Sequence, residues 1–319
     1  MMYAIGGYFE LELSEKSNGL HSNALALNTA RNALEYILKV NQYKKIYIPY
    51  FTCDAILEPI SKLGISYSFY SIDEQLEPVF DFSQLEASDA FLYTNYFGLK
   101  NNYVKLLSEK IENLIIDNAQ AFFAKPFRNE STYYSARKFF GVSDGAYLYT
   151  NEKLNESLDQ DVSYERINHL LIRKDKSAEE GYSEFVKNDN SLINNDIKKM
   201  SRITKAILNS IDYNFVAERR VDNFNHLDSV LKGTNKFNFN LENDCVPMVY
   251  PYWSDDNSLK DRLLKNKVYC ANYWPNVLEW CKSNALEYKL TNEVVYLPID
   301  QRYNEKEMSF ILKILKNEY

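Results

Sequence analysis

Short apolar runs alternate with stretches of helical periodicity through the first half of this chain, and that alternation restricts its fold more than any other feature. Residues 45–50, 66–70, 90–94 and 114–116 are brief, rich in aliphatic and aromatic side chains, and followed by turn-forming or polar residues. Continuous apolar runs of this length suit strands covered on both faces. Between the first two runs, Ala55, Ile56, Ile60 and Leu63 fall on one face of a helix at 53–63. A second helix, at 103–112, leads into the fourth run. Strand, helix, strand order requires parallel pairing through right-handed crossovers. The expected class is therefore α/β, three layers (αβα) around a mostly parallel sheet, with an antiparallel strand added at 146–150.

Chemistry concentrates between residues 114 and 145. The Leu114-Ile115-Ile116 run ends in Asp117, and open parallel sheets bind ligands at the carboxyl ends of their strands. Asp117-Asn118-Ala119-Gln120 would project polar groups from such a tip. The β-prone stretch 132–135 follows, and Lys138 stands 21 residues after Asp117, flanked in sequence by Phe139 and Phe140. That setting predicts a partly desolvated lysine. Desolvation disfavours an ammonium ion and suits a lysine that must bond an aldehyde cofactor, of which pyridoxal 5'-phosphate (PLP) is the obvious one. A carboxylate such as Asp117 would keep the cofactor's pyridine nitrogen protonated. Earlier in the chain, Ala30, Ala33, Leu34, Ile37 and Leu38 mark a helix that Asn28 or Thr29 can cap. Its N-terminus, with small residues around Thr29-Ala30-Arg31, is suited to a phosphate.

The series Asp117-Asn118-Ala119-Gln120-Ala121, Lys138 and Asp144-Gly145-Ala146 resembles the Asp-x-Ala-Gln-Ala, lysine and Glu/Asp-Gly-Gly motifs of the DegT/StrS family of nucleotide-sugar aminotransferases. The resemblance spans roughly residues 20–300, with its specific motifs between 28 and 146. It implies the PLP-transferase fold type I. By resemblance, Lys138 and Asp117 are catalytic, Asp117 meets the pyridine nitrogen, Gln120 the phenolic oxygen, and Lys138 holds the cofactor covalently. Thr29, Ala30 and Arg31 correspond to the phosphate-binding turn, and Tyr133 joins the cofactor-binding set. The aromatic that stacks on the cofactor in this family is matched by Cys53, so Phe51 or Tyr50 is expected to take that place. Tyr96, on the tip after residues 90–94, is a pocket candidate. The resemblance also implies glutamate as amino donor, a keto-sugar nucleotide as acceptor, surface-polysaccharide biosynthesis as the setting, and a homodimer. The flank Tyr-Ser-Ala-Arg-Lys departs from the family's Ser-Phe-His-x-x-Lys, which leaves open a PLP enzyme acting on a non-sugar substrate, or a non-catalytic relative.

Composition removes other classes. The 319-residue chain carries a net charge of −7 and no basic block, which argues against binding nucleic acid through bulk charge. Cys53, Cys245, Cys270 and Cys281 lack CxxC spacing and His21, His169 and His226 are scattered, so neither zinc nor a disulfide framework is expected. No run approaches 18 apolar residues and the opening residues lack a basic start, so a cytoplasmic protein without a membrane segment is expected.

Residues 8–13 alternate as an edge strand or arm would. Residues 151–235 read as helices, among them an amphipathic one at 193–211 and a long one at 213–231 that links two domains. Beyond it, strands at 246–250, 267–270 and 294–297 and helices at 258–266 and 304–316 describe a small α+β domain. The expected division is 1–212 and 213–319, the linking helix belonging to the second. Trp274 is a candidate to stack on substrate, and Arg302 a candidate for a substrate carboxylate.

Overall fold

The computed structural model describes residues 7–15, 19–127 and 130–318. The opening residues 1–6 of the segment weighed for targeting lie outside that set. The described chain forms one eight-stranded mixed sheet and one two-stranded sheet. The large sheet comprises β1 (Leu25–Leu27), β2 (Lys45–Pro49), β3 (Ser66–Ile72), β4 (Pro78–Val79), β5 (Asp89–Thr94), β6 (Leu114–Asn118), β7 (Ser131–Ser135) and β8 (Ala146–Tyr149). Its order is β1-β8-β7-β6-β5-β2-β3-β4. Strands β7, β6, β5, β2 and β3 run parallel, whereas β8, β1 and β4 join antiparallel. This is the α/β architecture expected from the alternating runs, including the antiparallel strand after Lys138.

Two apolar layers cover the sheet because its strands alternate. Ile46, Ile48, Ala90, Leu92, Ile115 and Tyr133 face α1 (Ala30–Asn41), which contributes Ala33, Leu34, Ile37 and Leu38. Tyr47, Phe91, Tyr93, Leu114, Ile116 and Tyr134 face the opposite layer. Successive side chains of a strand point to opposite faces, so strands buried on both sides have no position for an exposed polar residue.

Helices α2 (Leu57–Lys62) and α3 (Asn101–Ser108) lie within the crossovers that lead to β3 and β6. The expected helix at 53–63 is divided, with a tight turn at Asp54–Ile56 before α2. Helices α4 (Asn168–Asp175) and α5 (Ala178–Ser191) pair beyond the sheet. The expected helix at 193–211 is shorter. Residues 192–200 are irregular, with Lys199 bridging to Leu27 and Gln160, and α6 (Arg202–Asn209) begins only after Ser201 caps it. The apolar residues Ile197 and Met200 are buried nonetheless, which explains why periodicity alone extended the helix too far. The long helix α7 (Tyr213–Leu231) has the predicted bounds.

After α7 the chain forms β9 (Val249–Tyr252), α8 (Leu259–Lys265), α9 (Val277–Trp280), α10 (Leu286–Glu293), β10 (Val295–Pro298) and α11 (Glu305–Lys316). Strands β9 and β10 pair antiparallel, and α7 and α11 pack together. No strand forms at 267–270; Ala271 makes a single bridge to Tyr296. Residues 8–13 form no strand either, and Tyr8 and Phe9 are almost wholly exposed. Among the described residues, no helix is long and apolar enough to cross a membrane.

Candidate functional site

Parallel strands β2, β5, β6 and β7 all end on the same side of the sheet. The order in which strands are added to the sheet reverses there, since β3 lies to one side of β2 and β5 to the other, and such a switch point opens a crevice between loops. A cavity of about 190 Å³ occupies this place. Its walls include Thr29, Ala30 and Arg31 at the start of α1, Thr52 and Cys53 after β2, Thr94 on β5, Asp117 and Gln120 at the tip of β6, Tyr133 on β7, Lys138 and Trp274.

Sheet register explains the polar floor. Asp117 pairs in register with Thr94 on one side and Tyr133 on the other, which sets three polar side chains in a row across three neighbouring strands. All three are buried, Asp117 being 7% exposed. Asp117 Oδ1 accepts the Ala119 N–H at 2.8 Å. No cation lies within salt-bridge distance of its carboxylate among the described residues. The hydroxyls of Thr94 and Tyr133 also lack a well-aligned partner. Tyr133 is close enough to favour the Asp117 charge, and Lys138 favours it electrostatically. Burial outweighs both, together with the Ala119 N–H, and pushes the carboxyl up to about 6.

The opposite wall is the N-terminus of α1. Thr29 caps the helix: its hydroxyl accepts the Asn32 N–H at 3.0 Å and donates to Asn32 Oδ1 at 2.6 Å. The first intrahelical bond is Ala33 N–H to Thr29 C=O. The N–H groups of Ala30 and Arg31 precede it, and those residues line the cavity. The Arg31 guanidinium is already engaged, donating to Glu58 at 2.7 Å and to the Leu192 carbonyl at 3.2 Å.

Lys138 closes a helical turn at Ala136–Lys138, where Phe139 and Phe140 donate back to the Ala136 carbonyl. The turn buries both phenylalanines and leaves Lys138 exposed at the cavity. Neighbours in sequence are therefore not neighbours in packing, and the expected partial desolvation of Lys138 is not found. Gln120 Oε1 accepts the Phe97 N–H at 3.1 Å, so its amide NH₂ is the end left for the cavity.

The structure brings Thr29, Ala30, Arg31, Asp117, Gln120, Tyr133, Lys138 and Trp274 around one cavity, and leaves Phe51, Tyr96 and Arg302 off its walls. Phe51 is completely buried, stacked on Tyr96 at 5.6 Å and edge-on to Trp274 at 4.5 Å. Tyr96 is equally buried, and its hydroxyl donates to the Phe51 carbonyl at 3.0 Å. Both are core residues beneath the loop after β2. Tyr50 stacks on Phe69 instead. Cys53 and Trp274 take the lining positions, with the Asn276 side chain tying Trp274's loop to the Thr52 carbonyl at 2.9 Å. Arg302 is half exposed and held by Asp300 at 2.6 and 2.9 Å.

Thr94 is a site residue outside the expected set, although its two-residue spacing from Leu92 and Ala90 on a strand neighbouring that of Asp117 is a usable signal. Elsewhere, ligand-type atoms of Glu242, Asp244 and Cys245 lie within 4.8 Å of one another. Glu242 there accepts from the Asn102 N–H at 3.2 Å and the Cys245 thiol at 3.6 Å, which ties that loop to α3.

A buried carboxylate with no cation in contact among the described residues, a helix start and an accessible amine facing one cavity fit a cofactor that carries a basic ring nitrogen, a phosphate and an aldehyde. The PLP molecule has all three.

No protein-family model and no curated protein matches this chain. Solved structures do. A DegT DnrJ EryC1 StrS aminotransferase from Brucella abortus superposes with a TM-score of 0.63 at 16% identity, over 92% of this chain and 85% of that one. Spr1654 from Streptococcus pneumoniae, solved in a PMP form, gives 0.67 at 16% over 93% and 88%. The sugar aminotransferase CalS13 from Micromonospora echinospora gives 0.62 at 14% over 94% and 88%. This chain has the fold shared by those aminotransferases.

Proposed function

We propose that this protein is a PLP-dependent aminotransferase that takes an amino group from an amino acid, glutamate in the first instance, and delivers it to a keto-sugar nucleotide. The observation that carries the reading is the convergence of Asp117, Lys138 and the α1 N-terminus on one cavity. Sugar aminotransferases among the structures of the same fold support the acceptor class. Surface-polysaccharide biosynthesis, a cytoplasmic location and a homodimer belong to the same proposal, as does the division at 212/213 with α7 as the linking helix.

When bound, PLP supplies an electron sink that makes the Cα–H bond of an attached amino acid acidic. Asp117 would hold the proton on the ring nitrogen; the charge-assisted contact would also lower the carboxyl from the raised value that burial imposes. The Ala30 and Arg31 N–H groups would receive the phosphate at the positive end of α1. Gln120 would donate its amide N–H toward the phenolic oxygen. Lys138 Nζ would hold the cofactor, then take up and return the proton of the donor's Cα; its exposure lets it do both.

The test is release of 2-oxoglutarate from glutamate, measured with a panel of keto-sugar nucleotides. Wild type should turn over and Lys138→Ala should not, with unchanged far-UV circular dichroism. A PLP-loaded wild type that turns over amino acids but none of the sugars would move the acceptor to another class.

A further inference from the structure

A second cavity, of about 580 Å³, shares Arg137 and Lys138 with the first. Arg220, on α7, forms part of its wall and is only 1% exposed. It occupies the buried stripe Val216, Arg220, Asn223, Phe224, Leu227, where spacings of four and three would ordinarily place an apolar residue. Its Nε donates to Gln301 Oε1 at 3.1 Å and its Nη1 to the Met248 carbonyl at 2.9 Å. The guanidinium lies over the Phe139 ring, 4.5 Å from the centroid.

None of these partners carries a negative charge. Among the described residues no carboxylate stands within salt-bridge distance of Arg220. Asp300, whose charge does act on it, is held by Arg302. Desolvation accordingly pulls Arg220 down to about 10, which still leaves it a cation at neutral pH. A buried charge with no counter-ion in contact is costly to keep. The surrounding carbonyl, carboxamide and ring orient the fork without neutralising it. Gln301 Nε2 in turn donates to the Phe139 carbonyl at 2.8 Å, so the guanidinium is linked to the residue that follows Lys138.

We propose that Arg220 is the receptor for the carboxylate of the amino-acid substrate, which supplies a counter-ion in direct contact. This rests on the aminotransferase reading and moves the carboxylate role from Arg302 to Arg220. One face of the guanidinium is covered by Phe139, and Nε and Nη1 are committed, so the Nη2 edge is the part left for a ligand. Such a narrow planar donor suits one carboxylate.

The experiment is calorimetric titration of the purified protein, with and without added PLP, using 2-oxoglutarate and, separately, inorganic phosphate. It is done on wild type, Arg220→Lys and Gln301→Glu. PLP-loaded wild type, in which the α1 phosphate site is filled, should bind 2-oxoglutarate in preference to phosphate. Arg220→Lys keeps the charge and loses the fork, and should weaken binding by at least about tenfold. Gln301→Glu leaves Arg220 in place but gives it an internal counter-ion, and should weaken binding as much while the protein stays folded. In turnover, both variants should raise the KM of the amino donor and leave that of the acceptor unchanged. A folded Gln301→Glu that binds 2-oxoglutarate as wild type does would overturn the proposal. So would tighter binding of phosphate than of 2-oxoglutarate by the PLP-loaded protein, in which the α1 site is filled, or an equal rise in both KM values. Should 2-oxoglutarate binding depend on Arg220 in a protein that takes up no PLP, the anion receptor stands and the aminotransferase reading falls.

Discussion

Asp117 is a carboxyl group that the fold holds against its own preference. Burial raises it to about 6 from an ordinary value near 3.8, so the folded protein binds this proton more tightly than the unfolded chain does. The associated stability is present below pH ~4 and is lost as pH rises through ~6, by an amount on the order of 3 kcal/mol. Glu130, raised by burial to about 7, adds in the same direction. Asp117→Asn removes the Asp117 part. In cofactor-free protein, the variant should melt higher than wild type at pH 8, and the difference should vanish near pH 4. A wild type that melts higher than the variant at pH 8 would show that the carboxylate already has a stabilising partner. Asp117 was legible through its company: a strand-ending acid alone is more often structural, but here Gln120, Lys138 and a capped helix start at Thr29 stand in the same chain. Phe51 and Tyr96 were not placed correctly, since a sequence says which aromatics lie near a strand tip but not which are turned under the loop. Arg220 could have been noticed as the one charged residue on the buried stripe of α7.

The turn between Lys138 and β8 is fastened to α6 by Asp144. This buried carboxylate accepts the Ser201 N–H and hydroxyl, both at 2.7 Å, and the Thr204 hydroxyl. Next to it Gly145 sits at φ +116, a region that side-chain-bearing residues rarely adopt, and a Cβ there would approach Thr204 Cγ2 to 2.9 Å. Asp144→Ala leaves the Ser201 N–H and the Thr204 hydroxyl unmet, while the Ser201 hydroxyl keeps Ser163 Oγ at 2.7 Å, and should cost about 2–4 kcal/mol of stability, read from urea unfolding. A loss below about 0.5 kcal/mol, the scale of an ordinary surface change, would mean that the anchor is dispensable. Strands β2, β5, β6 and β7 and helices α7 and α11 were close to their expected bounds because apolar runs and amphipathic stripes are local signals. Strand β1 was missed: it is three residues long and exists by pairing with β8, a partner more than a hundred residues away. Residues 193–200 are not the helix expected of them, because their buried side chains satisfy helical spacing while their backbone bonds to other parts of the chain.

At the scale of the molecule, the sheet assembles the site by bringing strand ends from residues 49 to 135 to one edge and setting the α1 N-terminus across from them. The order of strands and helices along the chain was enough to expect that geometry. The contribution of residues after 213 was less legible: Trp274 stood among the expected site residues, but Arg302 rather than Arg220 was expected to meet a carboxylate, because which arginine is turned inward is decided by tertiary packing. The central claim is that Lys138 is the residue that bonds the cofactor. It is tested most directly by adding PLP to the purified protein, reducing with borohydride, and mapping the modified peptide by mass spectrometry. A single pyridoxyl group on Lys138, absent from Lys138→Ala, is the expected result. No stable modification, or one spread over exposed lysines, would contradict it.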